Sequence, residues 1–158
     1  MSILPLKYVE HNIVFQEIPD EVTLVLTITG CPYHCKGCHS AYLWQYQGHL
    51  LSEELPTLLS KYKDYITCVC FMGGDQNLAE LEKWCEEIHK IGLKTALYTG
   101  RDDFPPKNEF FDYLKIGHYD SEKGGLNSPT TNQRMFIRTL NFLNETVWQD
   151  ITYKFRKD

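Results

Sequence analysis

No apolar run in this chain approaches the roughly 20 residues that a membrane-spanning helix needs. The amino terminus, Met1-Ser2-Ile3-Leu4-Pro5-Leu6-Lys7, has no basic region followed by a long apolar core, so no signal peptide is read there. An excess of positive charge is also missing. The formal net charge is −5, which argues against broad binding to nucleic acid or to anionic membranes. Internal repeats and low-complexity linkers are absent. The expectation is one cytoplasmic domain over residues 1–158, long enough for a substantial core and ordinary in composition.

Six cysteines are present. Without a secretion signal, metal binding or buried thiols are favoured over disulfides. Cys31, Cys35 and Cys38 stand in a C-x3-C-x2-C spacing, and no fourth cysteine lies nearby to close a tetrahedral site. Cys68 and Cys70 are two apart in an apolar run and therefore share one strand face. Cys85 falls among helix-periodic apolar positions. These three read as small core hydrophobes, since unpaired cysteine is often fully buried.

The segment 22–29 is nearly continuous in valine, leucine, isoleucine and threonine, which suits a strand covered on both faces. The cysteine loop follows at its C-terminal end. Residues 8–18 read as a short strand or an irregular lead-in, closed by a turn at Pro19-Asp20-Glu21. A helix is predicted over about 52–63, capped by Ser52, with Glu53 and Glu54 at its positive end and Leu55, Leu58, Leu59 and Tyr62 as its stripe. A strand over 66–72 ends in Gly73-Gly74-Asp75. Asn77 and Glu80 have capping-box spacing for a second helix, which Gly92 stops. Further strands are predicted at 93–98, ending in Thr99-Gly100, and at 113–119, with a short helix around 107–112 between them. Late strands are predicted at 134–139 and 151–155, joined by a polar turn near Asn144.

Alternating strands and helices predict an α/β fold with a parallel sheet. A closed eight-fold barrel typically takes about 250 residues. The expectation here is therefore an open, partial (β/α) barrel of about five to six units. Its functional loops should gather at the C-terminal strand ends, where the cysteine loop, Gly73-Gly74-Asp75 and Thr99-Gly100 all fall.

Zinc would need a fourth ligand, which His34 or His39 can supply, but C-x3-C-x2-C is not a usual zinc-ribbon spacing. A [4Fe–4S] cluster normally takes four thiolates, so three leave one iron open to an external chelator. Cys31, Cys35 and Cys38 match the signature of the radical S-adenosylmethionine (SAM) superfamily, which the chain resembles. Within it, the chain is most similar to the small activating proteins of anaerobic (class III) ribonucleotide reductase. The likeness rests on Gly30-Cys31-Pro32-x-x-Cys35-x-Gly37-Cys38, Trp44, Gly73-Gly74-Asp75, Tyr98-Thr99-Gly100, Gly117 and Ser128-Pro129-Thr130-Thr131-Asn132-Gln133-Arg134. His39-Ser40 departs from the aromatic and asparagine frequent at that place.

The resemblance implies a partial barrel of radical-SAM type, a [4Fe–4S] cluster on Cys31, Cys35 and Cys38, and SAM held by Gly37, Cys38, His39, Gly73, Gly74, Asp75 and Thr99. It implies reductive cleavage of SAM to a 5′-deoxyadenosyl radical, which takes hydrogen from a glycine of the large anaerobic ribonucleoside-triphosphate reductase subunit. An electron donor such as flavodoxin or ferredoxin is implied too. Two readings of Asp75 stand, as a helix cap or as a group orienting the SAM amino group. Thr99 reads equally as a ribose contact or a strand end. Asn132 and Gln133 read as partner recognition or as the cap of a late strand. The alternatives are activation of another glycyl radical enzyme, of the pyruvate formate-lyase type, and a non-enzymatic zinc-binding module.

Overall fold

The computed structural model describes residues 3–32 and 41–156. Four strands form its parallel centre: β2 (Thr23–Ile28), β4 (Cys68–Met72), β5 (Lys94–Tyr98) and β6 (Tyr113–Ile116). On one flank β1 (Lys7–Val14) pairs antiparallel with β2, and the two-residue β3 (His49–Leu50) with β1. On the other flank β7 (Arg134–Leu140) pairs antiparallel with β6, and β8 (Thr146–Asp150) with β7. The order across the sheet is β3-β1-β2-β4-β5-β6-β7-β8.

This mixed sheet replaces the expected open (β/α) barrel of five to six units. Only two long helices are present among the described residues, α1 (Leu51–Tyr62) and α2 (Leu78–Lys90). They carry the β2-to-β4 and β4-to-β5 crossovers. The β5-to-β6 crossover is irregular around Pro105-Pro106, where proline removes the amide donor and clashes with the preceding turn, and it holds one 3-10 turn at Asn108–Phe110. After β6 the chain turns back on itself, so no further parallel unit is added. Predominantly β structure with antiparallel flanks is the result.

The two helices bury the stripes their periodicity specifies. Leu51, Leu55, Leu58 and Leu59 of α1, with Leu81, Cys85 and Ile88 of α2, pack on Leu24, Leu26, Val69, Phe71, Leu97 and Leu114 of the sheet. Asn77 caps α2 by accepting from the Glu80 amide at 3.2 Å. Ser52 does not cap α1. That helix starts one residue earlier, with Leu50 at the cap position and no side-chain bond there.

The opposite face of the sheet presents Val25, Cys68, Cys70, Ala96, Tyr113 and Met135, and Ile18 and Ile151 pack against it. Every residue of β2 is buried as a consequence. The predicted strand at 151–155 is instead a 3-10 turn, and the last strand lies just before it. Ile151 is buried and its amide still donates to the Met135 carbonyl at 2.8 Å, so cross-strand bonding reaches one residue past β8 before the turn begins. The Thr152 hydroxyl takes the Met135 amide at 2.9 Å, which fixes the turn. Among the described residues no helix is long and apolar enough to cross a membrane.

The carboxyl-terminal stretch therefore seals one face of the core. Ile151→Ala should destabilise the fold by about 2–5 kcal/mol, the range for truncating a buried aliphatic side chain. Phe142→Ser, at the exposed hairpin tip, should stay within about 0.5 kcal/mol of wild type. Urea denaturation of both variants measures the contrast, and equal effects would contradict this packing.

Candidate functional site

The parallel centre brings the ends of β2, β4, β5 and β6 to one edge of the sheet. Cys31 stands just beyond β2 and is partly exposed. Its backbone is clamped from two sides. The amides of Gly30 and Cys31 both donate to the Leu43 carbonyl, at 2.7 and 3.0 Å, which ties the start of the cysteine loop to the turn that follows it. The Gln76 side-chain amide donates to the Thr29 carbonyl at 2.7 Å. A Cβ on Gly30 would lie 3.2 Å from that amide, so glycine lets the clamp close. Thr29 itself is buried, and its hydroxyl donates to the Gln47 carbonyl at 2.6 Å.

Beyond β4 the chain passes through Gly73 and Gly74, with φ of 100° and 111°, a region that favours glycine. The family resemblance implies that these glycines hold SAM. For Gly74 the structure adds a packing reason, since a Cβ there would meet Leu81 Cδ1 of α2 at 2.8 Å. Asp75 follows at the start of a 3-10 turn and does not cap α2. Its carboxylate accepts from the Thr99 hydroxyl at the end of β5. That hydroxyl accepts in turn from the Arg101 amide at 3.0 Å. Burial raises the Asp75 carboxyl above its usual range, opposed by the Thr99 hydrogen bond and the Arg101 guanidinium.

Cys31, Gly73, Asp75, Thr99, Tyr98 and Lys115 line one cavity of about 310 Å³. Four sequence-predicted residues thus meet: Cys31, Gly73, Asp75 and Thr99. Gly74 is buried beside them. Cys35, Gly37, Cys38 and His39 lie outside the described residues. Asn132 and Gln133 donate to the His118 and Gly117 carbonyls at 3.0 and 3.3 Å, gripping the exit of β6. Lys115 was not picked out from sequence, although one lysine inside the apolar run Tyr113-Leu114-Lys115-Ile116 is a signal for a polar site on a buried strand.

The donor chemistry separates the six cysteines into two sets. Cys68, Cys70 and Cys85 are fully buried. Burial pushes all three thiols up, Cys85 to about 12, which disfavours the thiolate that binds metal. Cys31 faces the cavity, and Cys35 and Cys38 follow it within seven residues. Among the described residues no three histidine, cysteine, aspartate or glutamate side chains gather as a metal site. A cluster bound here therefore depends on Cys35 and Cys38, and the residues present fit one held by that loop.

Cys31 at the end of a parallel strand, beside a cavity with Asp75, Thr99 and Lys115 in its wall, opens a run of three cysteines that suits an iron–sulfur protein. The model of the 4Fe-4S single cluster domain family matches residues 21–109, more than half of the chain, and the chain belongs to that family. The match takes in the cysteine loop and both helical crossovers. No curated protein matches the chain.

The Thr99 hydroxyl should hold the charged form of Asp75 in the fold. A carboxyl raised by burial binds its proton more tightly in the folded chain than in the unfolded one. Its ionisation therefore costs stability as pH rises through that raised range. Removing the donor with Thr99→Val raises the carboxyl further. The variant should lose about 1–3 kcal/mol at neutral pH and recover toward wild type in mild acid. Urea denaturation at the two pH values measures this, and a loss independent of pH would contradict it.

Proposed function

We propose that this protein is a glycyl-radical-enzyme activase of the radical-SAM type, acting on the large subunit of anaerobic ribonucleotide reductase. The observation that carries the reading is the convergence of Cys31, Gly73, Asp75 and Thr99 on one cavity. The family match supports the cluster. The sequence likeness at Gly30–Cys38, Gly73–Asp75 and Ser128–Arg134 supports SAM and the choice of partner.

Cys31, Cys35 and Cys38 would hold the cluster. Bound there with SAM, a [4Fe–4S] cluster would supply the electron that breaks the sulfonium bond, giving methionine and a 5′-deoxyadenosyl radical. The protein's own groups bind and orient. The backbone at Gly73 admits the amino-acid end of SAM, and Asp75, steadied by Thr99, accepts from its ammonium group. Thr29, Gln76 and the Leu43 carbonyl keep the first cysteine in place. Hydrogen abstraction from a partner glycine needs no protein acid or base, so the site requires no general-base histidine.

The shape of the sheet supports a protein substrate. The chain's own Ile18 and Ile151 pack on its second face, and a small cavity lies at the rim. A hydrogen donor delivered on a loop of a partner suits such a rim. Flavodoxin or ferredoxin would supply the electron, and the domain acts as one unit over residues 1–158.

Anaerobic reconstitution with iron and sulfide tests the reading. Wild type should become brown and, once reduced, convert SAM to methionine and 5′-deoxyadenosine. Cys31→Ala, Cys35→Ala and Cys38→Ala should each lose the cluster and the cleavage, whereas Cys85→Ala should keep both. A colourless protein that holds one zinc and ignores SAM would sink it. Radical formation on the anaerobic reductase, and not on a pyruvate formate-lyase, checks the partner by electron paramagnetic resonance.

A further inference from the structure

The cavity opens beside a strand edge that the fold leaves free. Two of its lining residues, Glu10 on β1 and Tyr42, are exposed, whereas Thr27, Thr99 and Lys115 are buried. The mouth therefore lies toward β1. That strand has eight residues, yet β3 pairs with only two of them, Lys7 and Tyr8. Among the described residues, no strand meets the outer edge of β1 from Glu10 to Val14.

A bulge marks the boundary between the covered and the open part. Tyr8 pairs with Ile28 and Glu10 with Thr27, so Val9 is an extra residue opposite β2. Bulges bend a strand and re-aim the side chain beside them. Glu10, the first residue past this one, lines the cavity together with its partner Thr27. Glu10, His11 and Asn12 are all exposed.

A strand edge with unpaired amides and carbonyls is a template for another strand. Proteins block such edges with lysine or proline, and Glu10–Val14 contains neither. The other edge of the sheet, β8, lies at the far side, and none of its residues lines the cavity. We propose that an extended segment of the protein substrate adds to β1 along Glu10–Val14, bringing its hydrogen donor to the cavity mouth. Main-chain bonds supply the hold. The Glu10 carboxylate selects a basic residue across from it, since opposite charges favour a cross-strand pair. The inference rests on the reading of this protein as an activase with a protein substrate.

The test follows backbone hydrogen exchange in the reconstituted protein, with and without the large subunit of anaerobic ribonucleotide reductase. Amides within Glu10–Val14 should exchange more slowly in the complex, and those of β8 should not change. Asn12→Lys places a blocking charge on the open edge. It should raise the reductase concentration for half-maximal glycyl radical by about tenfold, with the radical yield recovered at saturation. Gln149→Lys makes the same charge change on β8 and should behave as wild type. Both variants should keep the wild-type iron content and urea midpoint. Radical formation without protection of Glu10–Val14, or equal weakening by the two variants, overturns this docking edge alone. Protection that needs no reductase and grows with protein concentration gives the edge to a second copy, and also overturns it. Reduced protein that leaves the reductase without a radical overturns the proposed function, and this inference with it.

Discussion

Thr99 joins three strand exits through one residue. Its hydroxyl holds the Asp75 carboxylate after β4, its amide donates to the Lys115 backbone on β6, and its carbonyl takes the Lys115 ammonium. It is 1% exposed, so each of these bonds is shielded from competing water. An acid and a base held a few bonds apart in a cavity wall would relax toward water or toward each other without such a brace. Thr99 thus links the Asp75 carboxylate and the Lys115 ammonium within one cavity wall.

The brace works because both faces of the sheet are closed. Helices α1 and α2 cover one face with leucine-rich stripes. Against the other pack the segment before β2 and the turn after β8, through Ile18 and Ile151. Covering both faces protects the parallel strands and directs the remaining polar groups to the strand ends. The buried Glu21 carboxylate anchors the far end of that second face, bridging a buried tyrosine and a half-exposed lysine. Glu21 accepts from the Tyr113 hydroxyl at 2.6 Å and from the Lys94 ammonium at 2.8 Å.

Much of the central fold was legible. The continuous apolar run of β2, the stripe of Leu55, Leu58 and Leu59, and the cap at Asn77 each express a local rule, and the structure follows them. The barrel expectation failed because it extended the strand–helix alternation of the first units over the whole chain, whereas the sheet turns antiparallel after β6. Strand direction after β6 is decided by pairing with residues far away in the chain, which periodicity does not report. The two-residue β3 and the exposed β8 carry too little apolar pattern to be seen at all.

The amino-acid sequence by itself determined the chemistry: three thiols in a short loop, glycines at the next strand end, and a chain belonging to the 4Fe-4S single cluster domain family. These are read from spacing alone, because three cysteines within eight residues stay near one another in the chain wherever the fold places them. Tertiary structure alone decided which distant groups share the cavity. Asp75, Thr99 and Lys115 come together because parallel pairing aligns the ends of β4, β5 and β6. The burial of Cys68, Cys70 and Cys85, by contrast, was already readable from their apolar surroundings in the sequence, and the packing follows it.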